Sequence, residues 1–213
     1  ENTFELKTSR TETPVPVVNG IHLHSIYNPA KEAEAFIQKY SEQLMNSERI
    51  LVLGLGFAYH VWQLESQLRK HHQNWQIIVI EPNQHLYDRF LDNPPVELSS
   101  MTRIMCSHDV SYYYDDVELV RFMASKPLVI AHPASFNLYE NFYKNFMSFE
   151  SSNDVRNVAT RVTNNGLRNH IENLSEYDSY FDMAIKQRLQ HGNLTMNDYF
   201  LGIYSEMTAE GQK

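Results

Sequence analysis

Two glycines closing an apolar run are the residues whose type and spacing most suggest chemistry: Ile50-Leu51-Val52-Leu53-Gly54-Leu55-Gly56-Phe57-Ala58-Tyr59-His60. Glycine at such a point permits a tight turn and lets a ligand come close to backbone. A helix following it would aim its first N–H groups at the same place, where an anionic group is favoured. About two dozen residues on, a second apolar run, Ile77-Ile78-Val79-Ile80, ends on Glu81 and is followed by Pro82-Asn83. A carboxylate at that tip can accept both hydroxyls of a ribose. The pairing reads as the opening of a nucleotide-binding βαβ unit and marks Gly54, Gly56, Tyr59, His60, Glu81 and Asn83 as candidate ligand-binding residues. His108-Asp109 and His132 stand at the matching ends of two later runs, where open α/β sheets bind ligands. Asp109 could accept an adenine amino group, and His132 could touch substrate or act as a base.

Each feature also has a plainer reading. The glycines can serve a bare turn, Glu81 a solvated strand end, and the histidines a wet surface. Tyr59 stands where the dinucleotide fingerprint has its third glycine, which counts against NAD. Read as Gly-x-Gly-x-Ala, the loop is similar to the first motif of S-adenosylmethionine-dependent methyltransferases, although Val52 occupies the position where those enzymes usually carry an acid. The ten histidines suggest no metal set: His22-x-His24 would share a strand face, but no carboxylate or cysteine nearby completes a site. Cys106 sits in an apolar run and reads as buried filler rather than a nucleophile. Asn165, Asn169 and Asn173 share a helix face, either as a wet surface or as an interface. Tyr112-Tyr113-Tyr114 reads as a loop packed on the core or an aromatic lid.

The elements that must position these residues follow from periodicity. Residues 1–27 alternate, and Asn19-Gly20 between Val15–Val18 and Ile21–Ser25 predicts a hairpin. Asn28 caps a helix with Pro29 at its first position, running to about Asn46. Strands at Ile50–Leu53, Trp75–Glu81, Thr102–Cys106 and Pro127–Ala131 lack alternation, as expected of strands covered on both faces. Helices at about 59–70, 84–91 and 115–124 lie between them. The succession predicts an α/β, Rossmann-like parallel sheet of about four strands in the order 3-2-1-4. Beyond residue 135 only helical spacing recurs. The organisation expected is an N-terminal hairpin and helix (1–48), a nucleotide-binding-type domain (49–135) and a helical C-terminal region (136–213) suited to a partner or homo-oligomer.

Bulk composition narrows the function. A formal net charge of −8, with no Lys/Arg run longer than two, argues against nucleic acid. Thirteen Tyr and eleven Phe point to a core or interface built on aromatics. One cysteine excludes an intramolecular disulfide and fits a reducing compartment. No apolar stretch approaches the ~20 residues of a membrane span, and without a signal-peptide pattern the expectation is cytoplasmic. The opening Glu1 in place of Met points to a partial sequence.

One longer pattern resembles a known family. Leu23-His24-Ser25-Ile26-Tyr27-Asn28-Pro29-Ala30-Lys31-Glu32-Ala33 is similar to the Leu-His-Ser-x-Tyr-(Asp/Asn)-Pro-x-x-Glu-Ala segment of motility-associated factor proteins, bacterial flagellin glycosyltransferases. The glycine-loop strand through His60 and the strand ending Ile80-Glu81-Pro82-Asn83 resemble that family's N-terminal region in the same order, over about residues 20–85. The resemblance implies an accessory or substrate-binding domain of a nonulosonic acid transferase. It implies a CMP-linked nucleotide sugar as the small molecule and flagellin or another protein as acceptor. That family's catalytic centre lies in a central domain with a Gly-Pro-Ser-Leu segment, which these 213 residues lack. No catalytic residue carries over. The competing expectation is an S-adenosylmethionine-dependent methyltransferase using Gly54, Gly56, Glu81 and Asp109, and a third is a protein-interaction scaffold with an empty crevice.

Overall fold

The computed structural model describes residues 3–150 together with 165, 166 and 168. The chain divides into two compact units, Glu1–Phe149 and Glu150–Lys213, and the fold described is that of the first. The expected helices of 151–213 and the asparagine stripe therefore fall, apart from those three positions, outside the described residues.

Three short strands, β1 (Phe4–Thr8), β2 (Pro14–Val18) and β3 (Ile21–His22), form an antiparallel sheet in that order. Asn19 and Gly20 both take positive φ, +52° and +79°, which suits the right-handed twist of a two-residue hairpin. The strand after the turn is shorter than the alternation suggests. It ends at His22, so His22 and His24 do not share a strand face. Asn28 then caps α1 (Pro29–Gln38), its side-chain oxygen accepting from Lys31 N at 2.9 Å. The predicted long helix breaks at residues 39–40. There the amides of Lys39 and Tyr40 reach back only three residues, to Phe36 and Ile37, tightening the turn before α2 (Ser41–Met45).

The rest of the unit is β4 (Arg49–Leu53), α3 (Tyr59–His71), β5 (Gln76–Glu81), α4 (Gln84–Asp92), β6 (Thr102–Cys106), α5 (Val110–Tyr114), α6 (Val117–Ala124), β7 (Leu128–Ala131), α7 (Pro133–Leu138) and α8 (Glu140–Met147). All three pairings in the order β6-β5-β4-β7 are parallel. This is the predicted Rossmann-like sheet, with the order of strands reversing at β4. The unbroken apolar runs are explained by its two faces. Ile50, Val52, Ile77 and Val79 pack with Ala33, Ile37, Val61, Leu64 and Leu68. Leu51, Leu53, Ile78 and Ile80 pack with Tyr113, Phe122, Tyr143 and Phe146 on the other side. The Tyr112–Tyr114 segment is helical, and Tyr113 is fully buried rather than a lid. Residues 133–147 thus pack back onto the sheet.

A buried carboxylate joins the sheet's outer strand to α3. Glu65 accepts from Ser99 N at 2.9 Å and Thr102 Oγ1 at 2.6 Å, and pairs with Arg69 at 2.7 Å. Three donors satisfy a group that would otherwise be costly to bury. Among the described residues no helix is long and apolar enough to cross a membrane.

Candidate functional site

The glycine loop leaves β4 where the strand order reverses, the place where α/β sheets open a crevice. Here the chain's own groups fill it. Gly54 has φ +101°, and a Cβ on it would overlap the Cβ of Ser135 and lie 3.3 Å from that of His132. Gly56 has φ +51°, and its Cβ would stand 2.5 Å from His24 Nε2. Four of the loop amides are taken as well. Gly54 N donates to Ile80 O, Leu55 N to Glu81 Oε2 at 2.8 Å, Phe57 N to His24 Nε2 at 2.9 Å and Ala58 N to Leu55 O. Ala58 closes the loop in the left-handed region at φ +62°.

Glu81 is not presented to a ribose in this arrangement. It is fully buried, and its second oxygen accepts from Asn83 N at 2.9 Å. Burial pushes its carboxyl up to about 7, with the two amide donors pulling the other way. Asn83 is occupied too: Oδ1 caps α4 through Leu86 N, and Nδ2 donates to Tyr139 Oη at 2.7 Å. Tyr59 is nearly buried, and its hydroxyl donates to Pro14 O at 2.8 Å, linking α3 to the small antiparallel sheet. His108 and Asp109 are both exposed beyond β6, which lies two strands from β4, about 10 Å across the sheet. Asp109 caps α5, its carboxylate accepting from Ser111 N at 2.9 Å and Ser111 Oγ at 2.8 Å. Burial pushes the Cys106 thiol up to about 12, which leaves it a poor nucleophile.

What the loop brings together instead is imidazole. His24 from the segment after β3, His60 from the first turn of α3 and His132 from the end of β7 are all buried and in mutual ring contact. His60 and His132 stack with centroids 4.4 Å apart, and His24 lies 4.8 Å from His132. His60 Nε2 donates to Gly54 O at 3.0 Å, and His132 Nδ1 meets Ser135 Oγ at 2.8 Å. His24 Nδ1 faces Glu32 Oε2 at 3.6 Å. Burial lowers all three from the ordinary imidazole range. His60 falls to about 3, its neighbour His24 adding to the effect, so the rings are neutral at neutral pH. The trio floors a cavity of about 420 Å³ whose walls include Glu32, Phe36 and Lys39 of the α1 segment.

No family model matches the chain, and no curated protein matches it. Among solved structures, the chain is similar to the crystal structure of MnmC2 from Aquifex aeolicus, at 13% identity and a TM-score of 0.37. The match covers 55% of this chain and 46% of that one, so the chain spans under half of that protein's length.

Of the residues singled out in the sequence, Gly54, Gly56, Tyr59, His60, Glu81, Asn83 and His132 gather around one loop, whereas His108 and Asp109 stay outside it. His24 is the residue that sequence reasoning missed. Its neighbour in sequence is His22, whereas its ring partners sit on α3 and at the end of β7. The available signal was topological: His60 follows the glycine loop that leaves β4, and His132 follows β7, the strand paired with β4.

Proposed function

We propose that this chain is the Rossmann-like accessory domain of a motility-associated, flagellin-glycosylating nonulosonic acid transferase, binding acceptor or substrate while a separate central domain carries out transfer. One observation carries this reading. The three segments behind the family resemblance are hydrogen-bonded to one another around a single loop. His24 accepts from Phe57 N, Glu81 accepts from Leu55 N, and within the first segment Glu32 accepts from Ser25 N at 2.8 Å. Their joint role is to hold the loop in shape, which accounts for the pattern without any catalytic residue among them.

The methyltransferase reading needs Glu81 for a ribose and open space over Gly56 for the methionine portion, and both are occupied by the chain itself. A CMP-linked sugar entering the same crevice meets the same obstacle. Small-molecule recognition is left to the cavity beside α1. Thermal-shift titrations with S-adenosylmethionine, its demethylated product and CMP, beside a binding assay with flagellin, test the proposal. The expected result is an unchanged melting temperature with all three small molecules and measurable flagellin binding. A rise with S-adenosylmethionine that disappears in Glu81→Ala would overturn it in favour of a methyltransferase.

A further inference from the structure

We propose that His24, His60 and His132 form a three-imidazole site for a divalent transition-metal ion of the zinc class, with an open coordination position facing the cavity beside α1. The inference does not depend on the transferase reading. Each ring offers a nitrogen within 4.8 Å of those of the other two.

The hydrogen bonds around the trio set the lone pairs. Gly54 O can only accept, so the His60 proton sits on Nε2 and the lone pair on Nδ1. That Nδ1 is buried without a hydrogen-bond partner, the unmet group a ligand would satisfy. His24 Nε2 accepts from Phe57 N, which places its proton on Nδ1, toward Glu32. Ser135 Oγ can accept from His132 Nδ1, leaving Nε2 as the lone pair. Ser135 N also approaches the same Nδ1, at 3.4 Å, and Ser135 Oγ can donate as well as accept, so a bound metal would have to select the tautomer of His132 that carries its proton on Nδ1. A backbone carbonyl, a carboxylate and a hydroxyl thus stand behind the three rings. Such partners typically fix the tautomer of metal-binding histidines.

Neutral imidazole is the form that binds metal. Nitrogen donors without carboxylate or thiolate favour zinc, cobalt, nickel or copper over magnesium and calcium. Three protein ligands leave a fourth position for water or substrate. Zn–N bonds of the usual length place tetrahedral nitrogens about 3.3 Å apart, so the His60–His132 stack must tilt inward. His24 must also release the Phe57 amide. The missing Cβ of Gly56 leaves room directly beside His24 Nε2 and His132 Cε1.

The test strips the whole chain with a chelator and titrates Zn²⁺ by calorimetry and Co²⁺ by visible absorption. One ion per chain is expected, with the strong bands of tetrahedral cobalt and a shift of the Phe57 amide resonance. His60→Gln should abolish stoichiometric binding, and Ser135→Ala should weaken it about 10- to 100-fold. His71→Ala, at an exposed site outside the trio, should bind as the parent does. Absence of a stoichiometric ion, or unchanged affinity in His60→Gln, overturns the proposal. If His60→Gln does not fold, a Phe57 amide unmoved at saturating Zn²⁺ overturns it equally.

Discussion

Replacing Gly54 by alanine tests whether the loop is filled by protein or open to a ligand. Two costs are expected. A side chain in left-handed backbone costs about 1–2 kcal/mol, and Gly54 has φ +101°. The new methyl would also overlap Ser135, whose Cβ belongs to the rigid start of α7 rather than to a flexible tip. Overpacking of that kind costs about 1–3 kcal/mol. Gly20 supplies the control, because it too has positive φ, +79°, but nothing lies within 4 Å of its Cβ position. Gly20→Ala therefore carries the backbone cost alone, and the unfolded-state gain of a glycine replacement is common to both variants.

For a chain of this size about 1 kcal/mol lowers the melting temperature by about 2–4 °C. Gly20→Ala should then melt about 2–8 °C below the parent and Gly54→Ala about 4–20 °C below, with the larger drop always at Gly54. Urea denaturation with unchanged m-values would show that both variants expose the same surface on unfolding as the parent, so that shifts in midpoint report stability. Equal losses at the two positions would refute the reasoning. They would mean that Ser135 yields freely and that the space over Gly54 is available to a ligand after all.

Two further outcomes follow from the same contacts. The Glu81 carboxyl is raised from an ordinary 4.5 to about 7, so the folded state holds the proton more tightly than the unfolded one. Its contribution to stability should be greatest below about pH 4.5, decline as pH rises toward about 7, and level off above, a change of at most about 3 kcal/mol. Urea midpoints measured across that window should lose this decline in Glu81→Gln, and parallel pH profiles would refute the assignment. Tyr59→Phe removes the hydroxyl bond to Pro14 O and should cost about 0.5–1.5 kcal/mol. Faster amide exchange in β2 without loss of exchange protection in β4 or β5 would locate the damage at the small sheet, and an unchanged exchange pattern would dismiss that bond as a tie.

The parallel sheet was legible because its chemistry is local. Ile50–Leu53 and Ile77–Ile80 are apolar at every position since odd and even residues enter two different cores. A glycine pair and crossover-length spacings then leave few topologies. The cap signal at Asn28 was equally readable, and its side chain holds α1 as its position suggests; Asn83, marked in the sequence for ligand binding, instead caps α4. Two features were less so. The 39–40 break depends on three-residue backbone bonds that no side-chain pattern announces. The helix at Val110–Tyr114 is too short for periodicity to register, and its anchor, Tyr113 Oη, bonds to Glu81 O on another strand.

The glycine loop shows why its function was the hardest part to read. A missing Cβ creates room, and a sequence motif records the room but not its occupant. At Gly54 the occupant is Ser135 and at Gly56 it is His24, one far downstream and the other upstream, so no local window contains both parties. Glu81 is ambiguous for the same reason, since a strand-tip carboxylate suits two backbone amides as well as two ribose hydroxyls, and here the amides of Leu55 and Asn83 hold it. Once the acid and these loop amides satisfy one another, the buried side-chain atom lacking a partner among the described residues is His60 Nδ1, on the imidazole side. Ligand chemistry at this switch point accordingly belongs with the histidines and the α1 cavity, away from the carboxylate that the motif first suggests.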